Sequence, residues 1–323
     1  MCDTQTVKGD EKKKKRLITR SDFDGLVCAM LLKEIDLIDE IKFVHPKDVQ
    51  DGKVDINEND ITTNLPFDNR VGLAFDHHES ELLRVNVEQA KGRFIIEGEA
   101  KSAARVVYNY YGGAKVFHRV SEEIMEAVDK GDSADFTKEE ILDPKDWVLL
   151  NFLMDARTGL GRFRTFRISN YNLMMELIDY CVNHSIKEVL ALPDVKERVD
   201  LYFEQQDLFK QQLARIAKIH GKVVVIDLRE EETIYAGNRF MIYAMYPETE
   251  ISVHVAWGFR KQNTAVMIGK SIINKSSKFN IGDLCLSYGG GGHANAGTCQ
   301  LENDVVDSEL PNIIAKLNGE MAV

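Results

Sequence analysis

Between Arg16 and Tyr111, short apolar runs alternate with helical stretches, and three of the runs give way to carboxylates, an amide or imidazoles. Arg16–Thr19 reads as a strand, followed by the turn Ser21-Asp22-Phe23-Asp24-Gly25 and by Leu26–Ile35, a helix with a mostly apolar face. Ile41–His45 is a second strand. Asp60–Thr63 is a third, running into Asn64-Leu65-Pro66, and Val71–Phe75 is a fourth, ending at Asp76-His77-His78. Lys101–Tyr111 is a helix stopped by Gly112-Gly113. Short strands separated by helices predict an α/β fold with a mostly parallel sheet. In an open sheet of that kind, ligands bind in the crevice beyond the carboxyl ends of the strands. Asp22, Asp24, Asp76, His77 and His78 all fall just past predicted strands, so the alternation alone gathers them at one edge.

The 323 residues amount to two domains at roughly 150 residues each. Pro193–His220 contains no glycine and is rich in Glu, Gln, Lys and Leu, which predicts one long helix closed by Gly221. Lys222–Asp227, Ser252–Trp257 and Ala265–Ile268 then read as strands of a smaller α/β domain. The expected organisation is residues 1–192, a linker helix over 193–220, and residues 221–323.

Composition narrows the function. There are 41 Lys and Arg against 52 Asp and Glu, a formal net charge of −11. Such a chain is a poor non-specific binder of duplex DNA, which requires a basic surface. A small anionic substrate stays open, because a site needs only a local positive cluster or a metal. No apolar stretch approaches the roughly 18 residues of a membrane span. Lys12–Arg16 is basic, but Leu17-Ile18-Thr19-Arg20-Ser21-Asp22 after it is no apolar signal core. It reads as a lead-in to the first strand. Cys2, Cys28, Cys181, Cys285 and Cys299 are odd in number and far apart, with no CxxC. That predicts reduced thiols in a cytoplasmic protein, and Cys285, His293 and Cys299 match no zinc spacing.

Five constellations carry chemistry. In Asp22-Phe23-Asp24-Gly25, two carboxylates one residue apart can address one hard cation or two adjacent ones, and Gly25 lets the chain turn into the helix; a turn with a helix cap is the plainer explanation. In Asp76-His77-His78, an aspartate can fix the tautomer of an imidazole that offers its other nitrogen to a metal; the alternative is a surface pair capping a turn. Asp132, after Gly131, is a further ligand candidate in an acidic loop. In Tyr288-Gly289-Gly290-Gly291-Gly292-His293, successive glycines expose N–H groups, and a helix starting after His293 would add positive potential, favouring phosphate. Arg157, Arg162, Arg164 and Arg167 form a basic cluster with no acid among them. It can funnel phosphate or serve as a salt-bridged hinge. Lys270, after a strand, is a weaker candidate of the same kind.

The order Asp22-x-Asp24-Gly25, Asp76-His77-His78, Asp132 and Gly-Gly-Gly-Gly-His293 resembles the DHH phosphoesterase family with its DHH-associated C-terminal domain, over about Leu17–Gln300. Within that family the chain is most similar to proteins called exopolyphosphatase-related, neighbours of the oligoribonucleases and nucleotide 3′-phosphatases. The resemblance implies two domains facing a cleft, one or two divalent ions, manganese first, and hydrolysis of short nucleotides or related phosphate esters; it leaves a homodimer open. By the same resemblance Asp22 binds a first metal, and Asp24, His77 and Asp132 bind a second. Asp76 orients a histidine and His78 faces the reacting phosphate. Gly290, Gly291, Gly292 and His293 hold the rest of the substrate; Arg157 and Lys270 are further phosphate candidates from the residue pattern alone. The implied chemistry is two-metal hydrolysis with in-line attack at phosphorus.

The sequence departs from the family pattern twice. Ile18, Thr19 and Arg20 stand where a histidine precedes the first aspartate, and Asn64 stands where an aspartate bridges both metals. Both changes fall on the first metal, and Asp68 and His45 are the nearest candidates to compensate. Arg20 is expected to pair with Asp22 and place fixed positive charge where a metal would sit. That motivates an alternative: a relative that binds nucleotide or phosphate without efficient hydrolysis.

Overall fold

The computed structural model describes residues 14–78, 81, 90 and 92–319; Cys2 and the Lys12–Lys13 part of the basic run lie outside the described residues. The chain forms two compact units, residues 1–125 and 126–323. The helix expected to link the domains, over 193–220, lies inside the second.

The first unit is built on strands β1 (Lys15–Thr19), β2 (Ile38–Phe43), β3 (Asp60–Thr63), β4 (Leu73–Asp76) and β5 (Phe94–Ile96), in the order β2-β1-β3-β4-β5. Every neighbouring pair is parallel, as the alternation predicts. Arg16 on β1 pairs in register with Asp60 on β3 and makes two bonds of 2.9 Å to its carboxylate, which is 1% exposed. The basic run therefore ends in an ion pair inside the sheet. Helix α1 (Phe23–Glu34) is buried continuously from Phe23 to Leu32 and lies against α3 (Ala103–Tyr111), while α2 (Pro46–Gln50) follows β2. A helix apolar all round belongs to a core. Because the strands run in parallel, Thr19, Phe43, Thr63 and Asp76 all end at the same edge of the sheet.

Helix α4 (Glu122–Asp132) carries the chain into the second unit, which continues through α5 (Lys138–Leu142), α6 (Asp146–Met154), α7 (Asn170–Tyr180), α8 (Ile186–Ala191) and α9 (Pro193–Ile216). Helix α9 stops short of His220. Ala217–His220 is instead strand β6, antiparallel to β7 (Val223–Asp227). Gly221, at φ 59°, closes a two-residue hairpin turn between them, so the glycine that reads as a helix stop is a hairpin residue. After α10 (Met241–Met245) come β8 (Ile251–Trp257), β9 (Thr264–Lys270), α11 (Ile281–Ser287), β10 (Gly291–His293), β11 (Ala296–Leu301) and α12 (Val306–Asn318). The sheet order is β10-β11-β9-β8-β7-β6, with only β7 and β8 parallel. Val223, Val225, Val253, Val255, Val266 and Ile268 pack with apolar residues of α11 and α12 in one core.

Burial pushes His254, on β8, down to about 4. The folded state thus favours neutral imidazole, whereas the unfolded chain takes up its proton near the ordinary value. Its contribution is complete above about pH 6.5 and is lost as pH falls toward about 4. By pH 5 this one group should cost about 2 kcal/mol. Urea midpoints at pH 7.5 and pH 5 should therefore draw together in His254→Gln relative to the parent; equal acid sensitivity in both proteins would refute the assignment.

Candidate metal and phosphate site

The carboxyl edge of the first sheet collects the residues that the strand ends predict. Asp22 caps α1: its Oδ1 accepts from the Gly25 N–H at 3.0 Å. Its Oδ2 lies 3.1 Å from Arg20 Nε, which is the expected ion pair. Gly25 is obligatory by close approach, since a Cβ there would sit 2.0 Å from the Arg20 carbonyl oxygen.

Asp24 is 2% exposed. Its Oδ1 accepts from the Ala104 N–H at 2.8 Å, and its Oδ2 from the Ala103 N–H at 3.3 Å and from Asn64 Nδ2 at 2.8 Å. Ser102 caps α3, so Asp24 sits at the N-terminus of that helix, where the dipole favours negative charge. Asn64 has φ 53°, a left-handed conformation that Asn adopts more readily than most residues. Its N–H donates to the Phe75 carbonyl at 3.1 Å, placing it beside the end of β4. Its Oδ1 is buried with no hydrogen-bond partner among the described residues. A buried acceptor left unsatisfied costs about 1–3 kcal/mol, and a bound cation would remove that cost. Beneath, the Thr63 hydroxyl donates to the Thr19 hydroxyl at 2.7 Å, which donates to the Thr63 carbonyl at 3.2 Å.

Asp76 is buried, and its Oδ1 accepts from the His77 N–H at 2.8 Å, the His78 N–H at 3.2 Å and His78 Nδ1 at 2.7 Å. The carboxylate can only accept, so the His78 proton is on Nδ1 and the lone pair on Nε2. His77 Nδ1 lies 3.2 Å from the Ala100 carbonyl, another pure acceptor, which again puts the lone pair on Nε2. That is the tautomer a metal-ligating histidine needs. Ligand atoms of Asp76, His77 and His78 lie within 4.8 Å of one another. Asp68 is spent on Arg70, whose guanidinium holds its carboxyl below the usual range, and His45 caps α2. Neither belongs to the close group.

The remaining candidates belong to the second unit. Asp132 closes α4, after Gly131, where a Cβ would meet Asn151 Nδ2 at 1.9 Å. Arg157 pairs with Asp155 at 2.7 Å, and Arg239 reaches the same carboxylate at 3.3 Å. Burial alone would push Asp155 up, but the two arginines hold it below the usual range.

The glycine run overturns one expectation. No helix follows His293: Gly291–His293 and Ala296–Leu301 form an antiparallel hairpin, with Gly292 opposite Gly297. A Cβ on Gly290 would lie 2.2 Å from the Thr298 carbonyl oxygen, and one on Gly292 2.3 Å from that of Ala296. Close strand approach, not a helix N-terminus, accounts for those two glycines; a Cβ on Gly291 meets nothing within 4 Å. Lys270 ends β9 beside this hairpin, its N–H donating to the Asn295 carbonyl at 2.8 Å, so Lys270 and the His293 turn share one end of the sheet.

Sequence reasoning missed the α3 N-terminus as the cradle of Asp24 and the Ala100 carbonyl that orients His77. Ser102 ahead of an apolar run was the available signal, since serine is a favoured N-cap.

No protein-family model and no curated protein matches the chain. Among solved structures, it is 58% identical to the pGpG-specific phosphodiesterase PggH from Vibrio cholerae, with TM-score 0.81, covering 95% of this chain and 100% of that one. It shares its fold with manganese-bound RecJ from Thermus thermophilus, at 14% identity and TM-score 0.50, over 94% of this chain and 52% of that one. With that degree of identity to a phosphodiesterase, and with Asp22-x-Asp24-Gly25 and Asp76-His77-His78 at one sheet edge, the chain belongs to the DHH phosphoesterase family.

Proposed function

We propose that the chain is a divalent-metal-dependent phosphodiesterase that hydrolyses the guanine dinucleotide pGpG to two molecules of GMP. The observation that carries this reading is the 58% identity to a pGpG-specific phosphodiesterase over nearly the whole of both chains. The tautomers fixed by Asp76 and by the Ala100 carbonyl support it from the structure.

His77 Nε2 and the buried Asn64 Oδ1 would hold a divalent ion, manganese in the first instance, with Asp24 beside them. Asp132, which the family pattern assigns to the same ion, belongs to the second unit. When bound, such an ion neutralises charge on a phosphoryl oxygen and activates water. His78 is held by Asp76 with its proton on Nδ1, so neutral His78 has no Nε2 proton to give. Its Nε2 can therefore accept a proton from the attacking water, while the ribose oxygen, which leaves from the opposite face of phosphorus, takes its proton from solvent. Gly290, Gly291, Gly292, His293, Lys270 and Arg157, all of the second unit, are that unit's candidates for phosphate contact. A long polyphosphate is a poorer substrate, because the net charge of −11 opposes a polyanion. Cys28, Cys181, Cys285 and Cys299 are free thiols, which agrees with a reducing, cytoplasmic setting.

One observation favours a second reading. The Arg20–Asp22 ion pair places a guanidinium where the family holds its first metal, which suits a nucleotide binder that turns over slowly. Purified protein incubated with pGpG, other dinucleotides, 3′-phosphonucleotides or polyphosphate, with manganese, magnesium or EDTA, separates the two. The expected result is manganese-dependent conversion of pGpG to GMP, reduced about 100-fold or more in His78→Ala. Binding of pGpG with no product under any metal would hand the site to the second reading.

A further inference from the structure

The four arginines between Arg157 and Arg167 do not act as one group. Arg157 is paired with Asp155. Arg162 donates to the Ile234 and Tyr235 carbonyls at 2.9 and 3.2 Å. Arg167 holds Asp194, with Nε–Oδ1 at 2.8 Å. Arg164 is exposed, has no ion pair or hydrogen bond among the described residues, and lines a half-open surface pocket of about 340 Å³ with Phe163, Phe166, Ser169 and Asn170.

The cavity walls are fixed from behind by Arg198, which is 1% exposed. Its guanidinium donates to the Ile168 carbonyl at 2.8 Å and to Asn170 Oδ1 at 3.0 and 3.1 Å, and it lies 4.1 Å from the centre of the Phe166 ring. Ser169 caps α7 by accepting from the Asn172 N–H at 3.1 Å, and the first turn of that eleven-residue helix contains no acid. Its N-terminal N–H groups thus add positive potential beside Ser169 and Asn170, which line the pocket, unopposed by a carboxylate of their own turn. Two half-buried phenylalanines, an exposed planar cation with no ion pair or hydrogen bond among the described residues and an anion-favouring helix start, lining a space of this size, match an aromatic base joined to a phosphate.

We infer that this pocket of the second unit is a nucleotide subsite that stacks a purine on Phe163 and Phe166 and takes its phosphate at Arg164 and the start of α7. It depends on the dinucleotide reading only for the choice of guanine. Neither of the two contacts requires a metal.

The test is ligand-observed NMR and calorimetry on the full chain in EDTA, with GMP, guanosine and inorganic phosphate as probes. GMP should bind, with saturation transfer strongest at the base. Guanosine and phosphate should each bind at least tenfold more weakly. Arg164→Ala should weaken GMP at least tenfold, Arg164→Lys less, and Phe163→Leu should weaken GMP and guanosine alike. Circular dichroism and melting temperature check that these variants fold. GMP affinity unchanged in folded Arg164→Ala and Phe163→Leu overturns the subsite. With manganese and pGpG, a raised KM at unchanged kcat in Arg164→Ala assigns the pocket to the substrate's end; an unchanged KM with lost inhibition by GMP assigns it to the free mononucleotide. A protein that binds GMP through Arg164 yet releases nothing from pGpG would remove the hydrolase reading and leave the subsite standing.

Discussion

Asp24→Ala is expected to lose about 3–5 kcal/mol of stability before any effect on catalysis. Three donors converge on this carboxylate: the Ala103 and Ala104 N–H groups and Asn64 Nδ2. Removing a buried acceptor leaves each donor with a desolvation cost of about 1–3 kcal/mol, and the longer Ala103 bond contributes at the low end. The favourable position of a carboxylate at the start of α3 is lost as well, worth up to about 2 kcal/mol when partly buried. Asp24→Asn should cost less, because an amide oxygen in the Oδ2 position still accepts from Ala103 and Asn64 while only the Ala104 N–H faces its NH2. Urea titration in EDTA measures both variants. If Asp24→Ala unfolds at the parent's midpoint, the carboxylate does not tie α3 to the sheet edge. The consequence for enzymology is direct: an inactive Asp24→Ala protein demonstrates a lost metal ligand only after its folded fraction has been measured.

Asp24 also marks where the sequence stops being legible. The alternation of short strands and helices was enough to place Asp22, Asp24 and Asp76–His78 at one edge, because side chains just past parallel strands must share it. The Arg20–Asp22 pair was legible too, since the two residues are close in sequence and opposite in charge. What could not be read were the partners brought from far along the chain. The donors to Asp24 come from a helix start about 80 residues later, and their arrival is a matter of packing. The hairpins were misread for local reasons: Gly221 after a helical run fits a C-cap as well as a tight turn, and the glycines before His293 fit a loop ahead of a helix as well as close strand contact. The arginine cluster, open between a phosphate funnel and a salt-bridged hinge, could not be resolved for a different reason. Composition shows four cations but not the carboxylates and carbonyls that occupy three of them.

Asn64→Asp should convert a self-sufficient edge into one that depends on a cation. In the chain as it stands, Asn64 Nδ2 donates to Asp24 across 2.8 Å, so the pair holds together without metal. A carboxylate at position 64 would place two negative oxygens at about that separation. At an effective dielectric constant near 20 the repulsion is about 6 kcal/mol, reduced if the pair shares a proton. The left-handed backbone is no obstacle, because Asp adopts φ near 53° almost as readily as Asn. The variant should therefore melt several degrees below the parent in EDTA, and should regain stability as pH falls, because a proton on one carboxyl restores the hydrogen bond. Manganese should raise its melting temperature by more than it raises the parent's, since a divalent ion neutralises both carboxylates at once. Adding Arg20→Ala, which frees Asp22 from the 3.1 Å ion pair, should enlarge the manganese-dependent shift further, because both changes relieve the same first-metal position. Equal melting of Asn64→Asp and parent in EDTA would mean that position 64 does not face Asp24 as described. Equal response to manganese would mean that the ion binds without position 64, leaving His77 and the carboxylates to hold it.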